Sequence, residues 1–570
     1  MKGWLCVLIY YFSDLTMKVK PVVYQILPRL FGNKNKSLVP NGNIEQNGCG
    51  KMDDLDSDVL SRIRKMGATH IWYTGIIRHA TTTDYSGFGI PRQHAQVVKG
   101  KAGSPYAITD YYDVDPDIAT NVEKRMEEFM DLVRRTHEAG MKVIIDFVPN
   151  HVAREYHSVA KPELVKDLGA DDNTQMHFST TNNFYYCWGM PLDTSDIPYD
   201  GTERYEECPA KATGNDHFDN HPHRDDWYET VKLNYGIDYC DAGGRSCHFS
   251  PIPDTWSKMT NILMFWASKG IDAFRCDMAE MVPDAFWCWA TDKVKFAYPD
   301  IQFIGEVYDP AQYRNYIRAG FDYLYDKVGM YDCVRDVMCG RRPAGDITRQ
   351  WQANDDIFGH MLYFLENHDE QRIASEFFAG DAQKGVPGMM VSALLNTNPV
   401  MVYAGQEFGE KGMDEEGFSG RDGRTTIFDY WTVDTLRRGF FDRRTLKKSE
   451  REWQRLYTRI LTTANEEVAI REGKLYDLMY VNPQMAGKQF AFLRKADDQL
   501  VVVVANFDER RVEVDLNIPA HAFEYLQFNP GDYQADEVLT DSRQRLAITH
   551  EQPLRLDVPP CGGLVLRVKL

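Results

Sequence analysis

The sequence predicts an α/β chain built on a (β/α)8 TIM barrel. A small inserted domain interrupts the barrel after its third strand, and an all-β antiparallel sandwich domain follows it. Three observations lead there. Eight short apolar runs follow one another, most with a helix candidate behind them. The alternation stops between Ala153 and about Gly236, where the sequence is polar, aromatic and rich in Gly and Pro. From about Lys474 apolar runs succeed each other without helices between them.

Val22–Leu27 reads as the first strand. A helix over Asp53–Met66 follows, with Leu55, Val59, Leu60 and Ile63 at helical spacing and Asp53 or Asp54 as its cap. Thr69–Tyr73 is the second strand, and Val122–His137 is a helix ending at Gly140. Lys142–Val148 is almost wholly apolar, as strands buried on both faces are. After the break come a helix over Thr255–Ser268, a strand over Asp272–Met278 and a helix over Asp284–Phe296. Strands at Gln302–Glu306, Asp322–Tyr325, Met361–Leu365 and Val400–Tyr403 complete the eight, with helices at Gly388–Leu395 and Glu450–Ile470. The expected boundaries are 1–19 for an N-terminal extension or mis-assigned start, 20–150 and 237–472 for the barrel, 151–236 for the insert and 473–570 for the sandwich.

A chain of 570 residues is too long for one core. Its 43% hydrophobic and 26% charged content is that of a soluble globular protein. A net charge of −19 argues against a nucleic-acid partner, which wants a basic face. The 31 Tyr, 29 Phe and 11 Trp suit stacking on sugar faces as well as core packing. The 11 cysteines are odd in number and lack CxxC spacing, which points to a reducing, cytoplasmic compartment rather than a disulfide framework. Cys208, Cys240 and Cys247 lie near His217, His221 and His223, but without the spacing of a zinc finger. Trp4–Phe12 is an apolar run too short to span a membrane. It has the apolar character of a signal segment but no small-x-small cleavage site, so residues 1–16 are either an export segment or lie before a true start at Met17. No other run reaches membrane-spanning length.

Barrel chemistry sits at the C-terminal ends of the strands. Those ends supply Asp146, Asn150 and His151 after the third strand, Arg275 and Asp277 on the fourth, Glu306 on the fifth, and Asn367, His368 and Asp369 after the seventh. Converging carboxyls force one another's pKa values apart. Acids with separated pKa values are what glycoside cleavage requires. Asp277, beside Arg275, is expected to stay ionised and act as the nucleophile. Glu306 follows Phe303, Ile304 and Gly305, and apolar surroundings would make it the proton donor.

Four stretches then carry a resemblance: Asp146-Phe-Val-Pro-Asn-His151, Gly270-Ile-Asp-Ala-Phe-Arg-Cys-Asp277, Phe303-Ile-Gly-Glu306 and Glu366-Asn-His-Asp369. In this order and spacing they resemble the signature motifs of the α-amylase family of glycoside hydrolases. Asn398-Pro-Val-Met-Val-Tyr-Ala-Gly-Gln-Glu407 resembles that family's eighth strand. The resemblance covers about residues 20 to 570 and implies a retaining mechanism. By the match, Asp277 is the nucleophile, Glu306 the acid/base and Asp369 a transition-state stabiliser. Asp146, His151, Arg275 and His368 line the site, and Tyr106 falls where the family places a tyrosine that stacks on the sugar being cleaved. No cofactor is implied for the chemistry.

Two departures stand out. Glu280-Met281 occupies positions where many α-amylases carry Lys-His, which bears on the leaving-side subsites. Val231-Lys-Leu-Asn-Tyr235 is similar to the fifth motif of the neopullulanase and cyclomaltodextrinase branch. Many relatives bind a structural Ca2+ between barrel and insert, and Asn150 matches one ligand position. The carboxylate partners are not identifiable, and Asn41-Gly-Asn-Ile-Glu-Gln-Asn-Gly48 offers mostly amides, which bind Ca2+ less well than carboxylates. The resemblance implies an enzyme that cleaves α-1,4-glucosidic bonds in starch, maltodextrins or related α-glucans, through a covalent intermediate on Asp277. Alternatives are a neopullulanase-, cyclomaltodextrinase-, α-glucosidase- or transglycosylase-like member, or a catalytically dead glucan-binding relative.

Overall fold

A computed structural model describes residues 19–413 and 415–570. Trp4–Phe12 and the alternative start at Met17 lie outside the described residues. Eight parallel strands close into a barrel: β1 (Val22–Ile26), β2 (His70–Tyr73), β3 (Lys142–Phe147), β4 (Ala273–Cys276), β5 (Gln302–Gly305), β6 (Tyr323–Tyr325), β7 (Met361–Phe364) and β8 (Val400–Tyr403). They pair in sequence order, and β8 closes onto β1 through Val22 opposite Val400. Period-2 alternation sorts their side chains. Val23, Trp72, Ile144, Ala273, Ile304, Tyr325, Leu362, Phe364 and Met401 pack together inside the barrel. Residues such as Phe274 and Cys276 join the larger core outside it.

The helices packed into that outer core include α1 (Ser57–Lys65), α2 (Arg125–Glu138), α3 (Asp254–Ala267), α4 (Asp284–Ala297), α5 (Tyr313–Arg318), α6 (Asp332–Met338), α7 (Gly385–Leu394) and α8 (Lys448–Glu466). The cap of α1 differs from expectation. Asp56, not Asp53 or Asp54, accepts from the N–H of Val59, while Asp54 binds Lys51 N and Lys34 Nζ. The long helix expected to reach Ile470 breaks at Glu467, whose backbone is extended. The buried Glu467 carboxylate accepts from Gln499 at 2.6 Å and Arg567 at 2.8 Å, and these bonds to the next layer offset the interrupted helix.

That layer is antiparallel. Its strands are β9 (Lys474–Asp477), β10 (Gln489–Ala496), β11 (Gln499–Asn506), β12 (Val512–Leu516), β13 (Gly531–Glu537), β14 (Ser542–Ile548), β15 (Leu554–Val558) and β16 (Gly562–Lys569). Six form one sheet in the order β9-β10-β11-β16-β13-β14, and β12 pairs with β15. Two buried cations meet where barrel and layer join, Lys20 on the barrel side and Arg494 on the side of the layer. Lys20 donates to the carbonyls of Ala393 and Asn396, and Arg494 of β10 donates to Leu395 and Gly473. Both sit at the C-terminal end of α7, where carbonyls and helix dipole favour positive charge.

Between β3 and α3 the chain makes only short pairings. His151–Ala153 runs against Thr230–Lys232, Tyr186–Cys187 against Ala210–Lys211, and Ile237–Asp238 against Ser246–Cys247. The irregular stretch therefore continues past Gly236, to the start of α3. Among the described residues, no helix is long and apolar enough to cross a membrane.

Candidate active site

Strand alternation builds the site. On β4, Ala273 points into the barrel, and Arg275 and Asp277 continue on that side toward its C-terminal mouth. On β3, Ile144 is followed in the same way by Asp146, and on β5 Ile304 is followed by Glu306. Register brings them level, since Arg275 stands opposite Asp146 on one side and Ile304 on the other.

Arg275 is wholly buried and organises the cluster. Its Nη1 donates to Asp277 Oδ1 at 2.8 Å and Asp146 Oδ1 at 3.3 Å, and its Nη2 lies 2.7 Å from Glu306 Oε2. The rings of Trp72, Tyr106 and Tyr325 surround the guanidinium at 5.2, 5.3 and 5.5 Å, within cation–π range. Glu306 also accepts from the Met278 N–H at 2.7 Å and the Tyr308 hydroxyl at 2.6 Å. Met278 adopts a left-handed conformation with φ 43°, which a non-glycine residue holds at some cost. That turn aims its N–H at Glu306 directly behind Asp277.

The surroundings of the two acids differ from those expected. Burial pushes the Asp277 carboxyl well above its usual range; Arg275 opposes the rise, while Glu306, Asp146 and Asp369 add to it. Burial likewise raises Asp146 against Arg275. The Glu306 carboxyl meets three donors instead of an apolar wall. Asp277, Asp146 and Glu306 thus share one guanidinium.

The residues after β7 complete the mouth. The His368 ring stacks on Tyr106 at 5.1 Å, and its Nε2 lies 2.6 Å from the Tyr106 hydroxyl and 2.9 Å from Asp369 Oδ2. Gln25 of β1 donates to Nδ1 at 2.8 Å, which leaves the ring proton on Nε2 facing those oxygens. Burial pushes the Asp369 carboxyl up, but His368, Arg275 and Arg424 outweigh it and hold it below the ordinary carboxylate range. The Asp369 side chain is 42% exposed, in contrast to the 8% of Asp277 and 3% of Glu306. It faces a cavity of about 1170 Å3 lined also by Tyr199, Asp200, Arg224, Asp225 and Phe428.

Of the residues expected at the site, Asp146, Arg275, Asp277, Glu306, His368, Asp369 and Tyr106 converge. His151 stands at the insert side, with its ring 5.2 Å from that of Trp227. Burial, then Lys232 and Lys99, push its pKa down to about 3, so it is neutral. Sequence reading missed Trp72, Tyr325, Gln25 and Tyr308. Tyr308 had a signal, standing two residues after Glu306. Glu280 is also explained: its Oε2 accepts from the N–H groups of Tyr308 and Asp309 at 2.9 and 3.0 Å, so it fixes the loop that carries Tyr308.

A Ca2+ ion held by Asn150 does not fit these residues. Asn150 Oδ1, the oxygen a cation would take, accepts from the ammonium of Lys232. Asp216 Oδ1 lies 2.6 Å from the same ammonium, and the Met281 carbonyl 3.3 Å away. Lys232 is 2% exposed, so one resident cation occupies the oxygens of insert and barrel together. The amide-rich loop is also self-satisfied. Asn43 caps Ile44–Asn47, and the Asn47 amide bonds Val39 and Tyr430. The cysteine-containing zinc set does not assemble either: among the described residues, His221 and His223 meet Asp196 instead.

The comparisons place this geometry. Residues 25–451 match the family model "Alpha amylase, catalytic domain". Alpha-amylase 3 of Dictyoglomus thermophilum is 26% identical over 54% of this chain, and the match spans 54% of that protein, so the chain covers about half its length. Neopullulanase 2 of Thermoactinomyces vulgaris is 21% identical over 87% of this chain and 71% of its own. The human amino acid transporter heavy chain SLC3A1 is 24% identical over 55% of this chain and 35% of its own. In fold, the chain is similar to the maltogenic alpha-amylase AmyB of Thermotoga neapolitana, with a TM-score of 0.60 and 18% identity over 97% of this chain and 99% of that one. With the barrel and its clustered acids in view, the extent of the family match is decisive: the chain belongs to the alpha-amylase family and carries its catalytic domain.

Proposed function

We propose that the protein is a retaining hydrolase of α-1,4-glucosidic bonds in starch-derived glucans. One observation carries the reading: Arg275 bridges Asp277 and Glu306, and His368 and Asp369 of the same cluster line a cavity of about 1170 Å3. A sugar ring entering the cleft meets Asp369 and the His368–Tyr106 pair first. The reactive microstate has a proton on Glu306 and Asp277 ionised. A carboxylate oxygen of Asp277 attacks the anomeric carbon, the glycosidic bond breaks, and Glu306 passes its proton to the departing oxygen. Glu306, now ionised, then takes a proton from water, whose oxygen attacks the same carbon and releases Asp277. Arg275 compensates negative charge in both halves, and Asp369 holds hydroxyls of the distorted sugar.

A cyclomaltodextrinase- or neopullulanase-like specificity is the second reading, favoured by Lys232-Leu-Asn234 and the relative from T. vulgaris. A binding-only role, suggested by the likeness to a transporter subunit, is disfavoured by the retention of all three acids around a buried arginine. Converging buried acids cost stability and would not persist unused. The test is a product analysis on maltooligosaccharides, starch, pullulan and cyclodextrin, with Asp277→Asn as control. Short maltodextrins from starch support the first reading. Preference for cyclodextrin or pullulan supports the second, and wild type equal to the variant on every substrate overturns both.

A further inference from the structure

We propose that Asp196, His221 and His223 form a transition-metal site that clips two loops of the insert together at the rim of the cleft. One carboxylate oxygen faces two imidazoles. Asp196 Oδ2 lies 3.0 Å from His223 Nδ1 and 3.4 Å from His221 Nε2, and the three candidate ligand atoms all lie within 4.8 Å of one another. Ligand atoms of a tetrahedral Zn2+ site with bonds near 2.0–2.1 Å sit about 3.4 Å apart, so the ion replaces shared protons with little movement. Two imidazoles and one carboxylate select Zn2+, Co2+ or Ni2+ over Ca2+ or Mg2+. Asp193 Oδ2, 3.9 Å from His221 Nε2, and solvent supply the remaining positions.

The set is prearranged. Pro222 stiffens the backbone between the two histidines. The His221 N–H donates to Asp219 at 2.9 Å and the His223 N–H to Asp226 at 2.7 Å, so both main-chain positions are fixed before any metal arrives. The neighbouring group Asp238, Asp241 and His248 offers only one imidazole and makes an internal control.

Placement gives the site a consequence, which rests on the glucan reading. Asp196 leads into Pro198, Tyr199 and Asp200, and His223 leads into Arg224 and Asp225. These five residues line the cavity that reaches His368 and Asp369. A metal joining the two loops holds both walls of the substrate entrance.

The test is calorimetric titration of the full chain with Zn2+, repeated with His221→Ala/His223→Ala and with His248→Ala, folding being checked by circular dichroism. Wild type and His248→Ala are expected to bind one ion, and the double variant to bind it about 100-fold more weakly or not at all. Equal binding by wild type and double variant overturns the site. A thiolate charge-transfer band with Co2+ also overturns it, because it moves the metal to cysteine. This arm needs no activity. In the second arm, Zn2+ lowers the KM for a maltooligosaccharide in wild type and not in the double variant. An unchanged KM with zinc bound overturns the rim role.

Discussion

At the residue scale the division of labour rests on Asp277 and Glu306 meeting at one guanidinium. Asp277→Asn is expected to leave the fold intact and to replace the nucleophilic carboxylate by an amide, so kcat falls by about 10^4-fold or more; circular dichroism and initial rates check both halves. Glu306→Gln is expected to spare substrates whose leaving group needs no proton. Its loss on maltotriose exceeds that on an activated aryl maltoside by about 100-fold or more. Glu280 acts through its neighbours. Glu280→Ala frees the N–H groups of Tyr308 and Asp309 and loosens the hydroxyl on Glu306. A kcat drop of about 10- to 100-fold with a nearly unchanged KM marks positioning, and Glu280→Gln, which keeps an acceptor oxygen, restores most of it. The identities of the acids and of Arg275 were legible in the sequence because strand spacing places them. Their contacts were not, since sharing one guanidinium depends on register across three strands.

At the element scale the joint between β3 and the insert turns on Lys232. The sequence marked Asn150 and Lys232 separately, as a metal-ligand position and as a branch signal. Antiparallel pairing of His151–Ala153 with Thr230–Lys232 puts the ammonium on the amide oxygen, a long-range contact that no local pattern reveals. Lys232→Met strands Asn150 and Asp216 and is expected to cost about 3–5 kcal/mol, the usual effect of removing one partner of a buried pair. Millimolar Ca2+ is expected to leave the wild-type melting temperature unchanged; an increase of several degrees would mean that a calcium site exists despite the lysine. Helix ends were the other weak point. α8 stops at Glu466 because Glu467 turns to bonds with Gln499 and Arg567, partners remote in sequence.

At the scale of the whole molecule the alternation of strand and helix made the barrel legible, and its loss made the insert and the terminal sheet legible in outline. The internal course of the insert was not, because its pairings are only two or three residues long. Global stability should carry the mark of buried acids. Burial pushes Glu407 up to about 7, against bonds from Tyr24 and Gly405. The folded state keeps a proton that the unfolded chain releases near pH 4.3–4.5, so this group's stabilising proton is fully present below that range and its contribution is lost as pH rises toward 7. Unfolding free energy is expected to fall across that window by an amount of order 3–4 kcal/mol. Glu407→Gln, which keeps an acceptor oxygen and carries no titrating proton, should flatten the slope in denaturant titrations.

The covalent role of Asp277 is tested most directly by trapping. Glu306→Gln would be incubated with α-maltosyl fluoride, whose leaving group needs no acid, and the protein analysed by mass after rapid denaturation. Attack proceeds while hydrolysis stalls for want of a base. The expected result is one maltosyl unit per chain, on the peptide carrying Asp277. Hydrolysis at the wild-type rate with no adduct, or an adduct on another residue, would contradict the retaining mechanism assigned to this site.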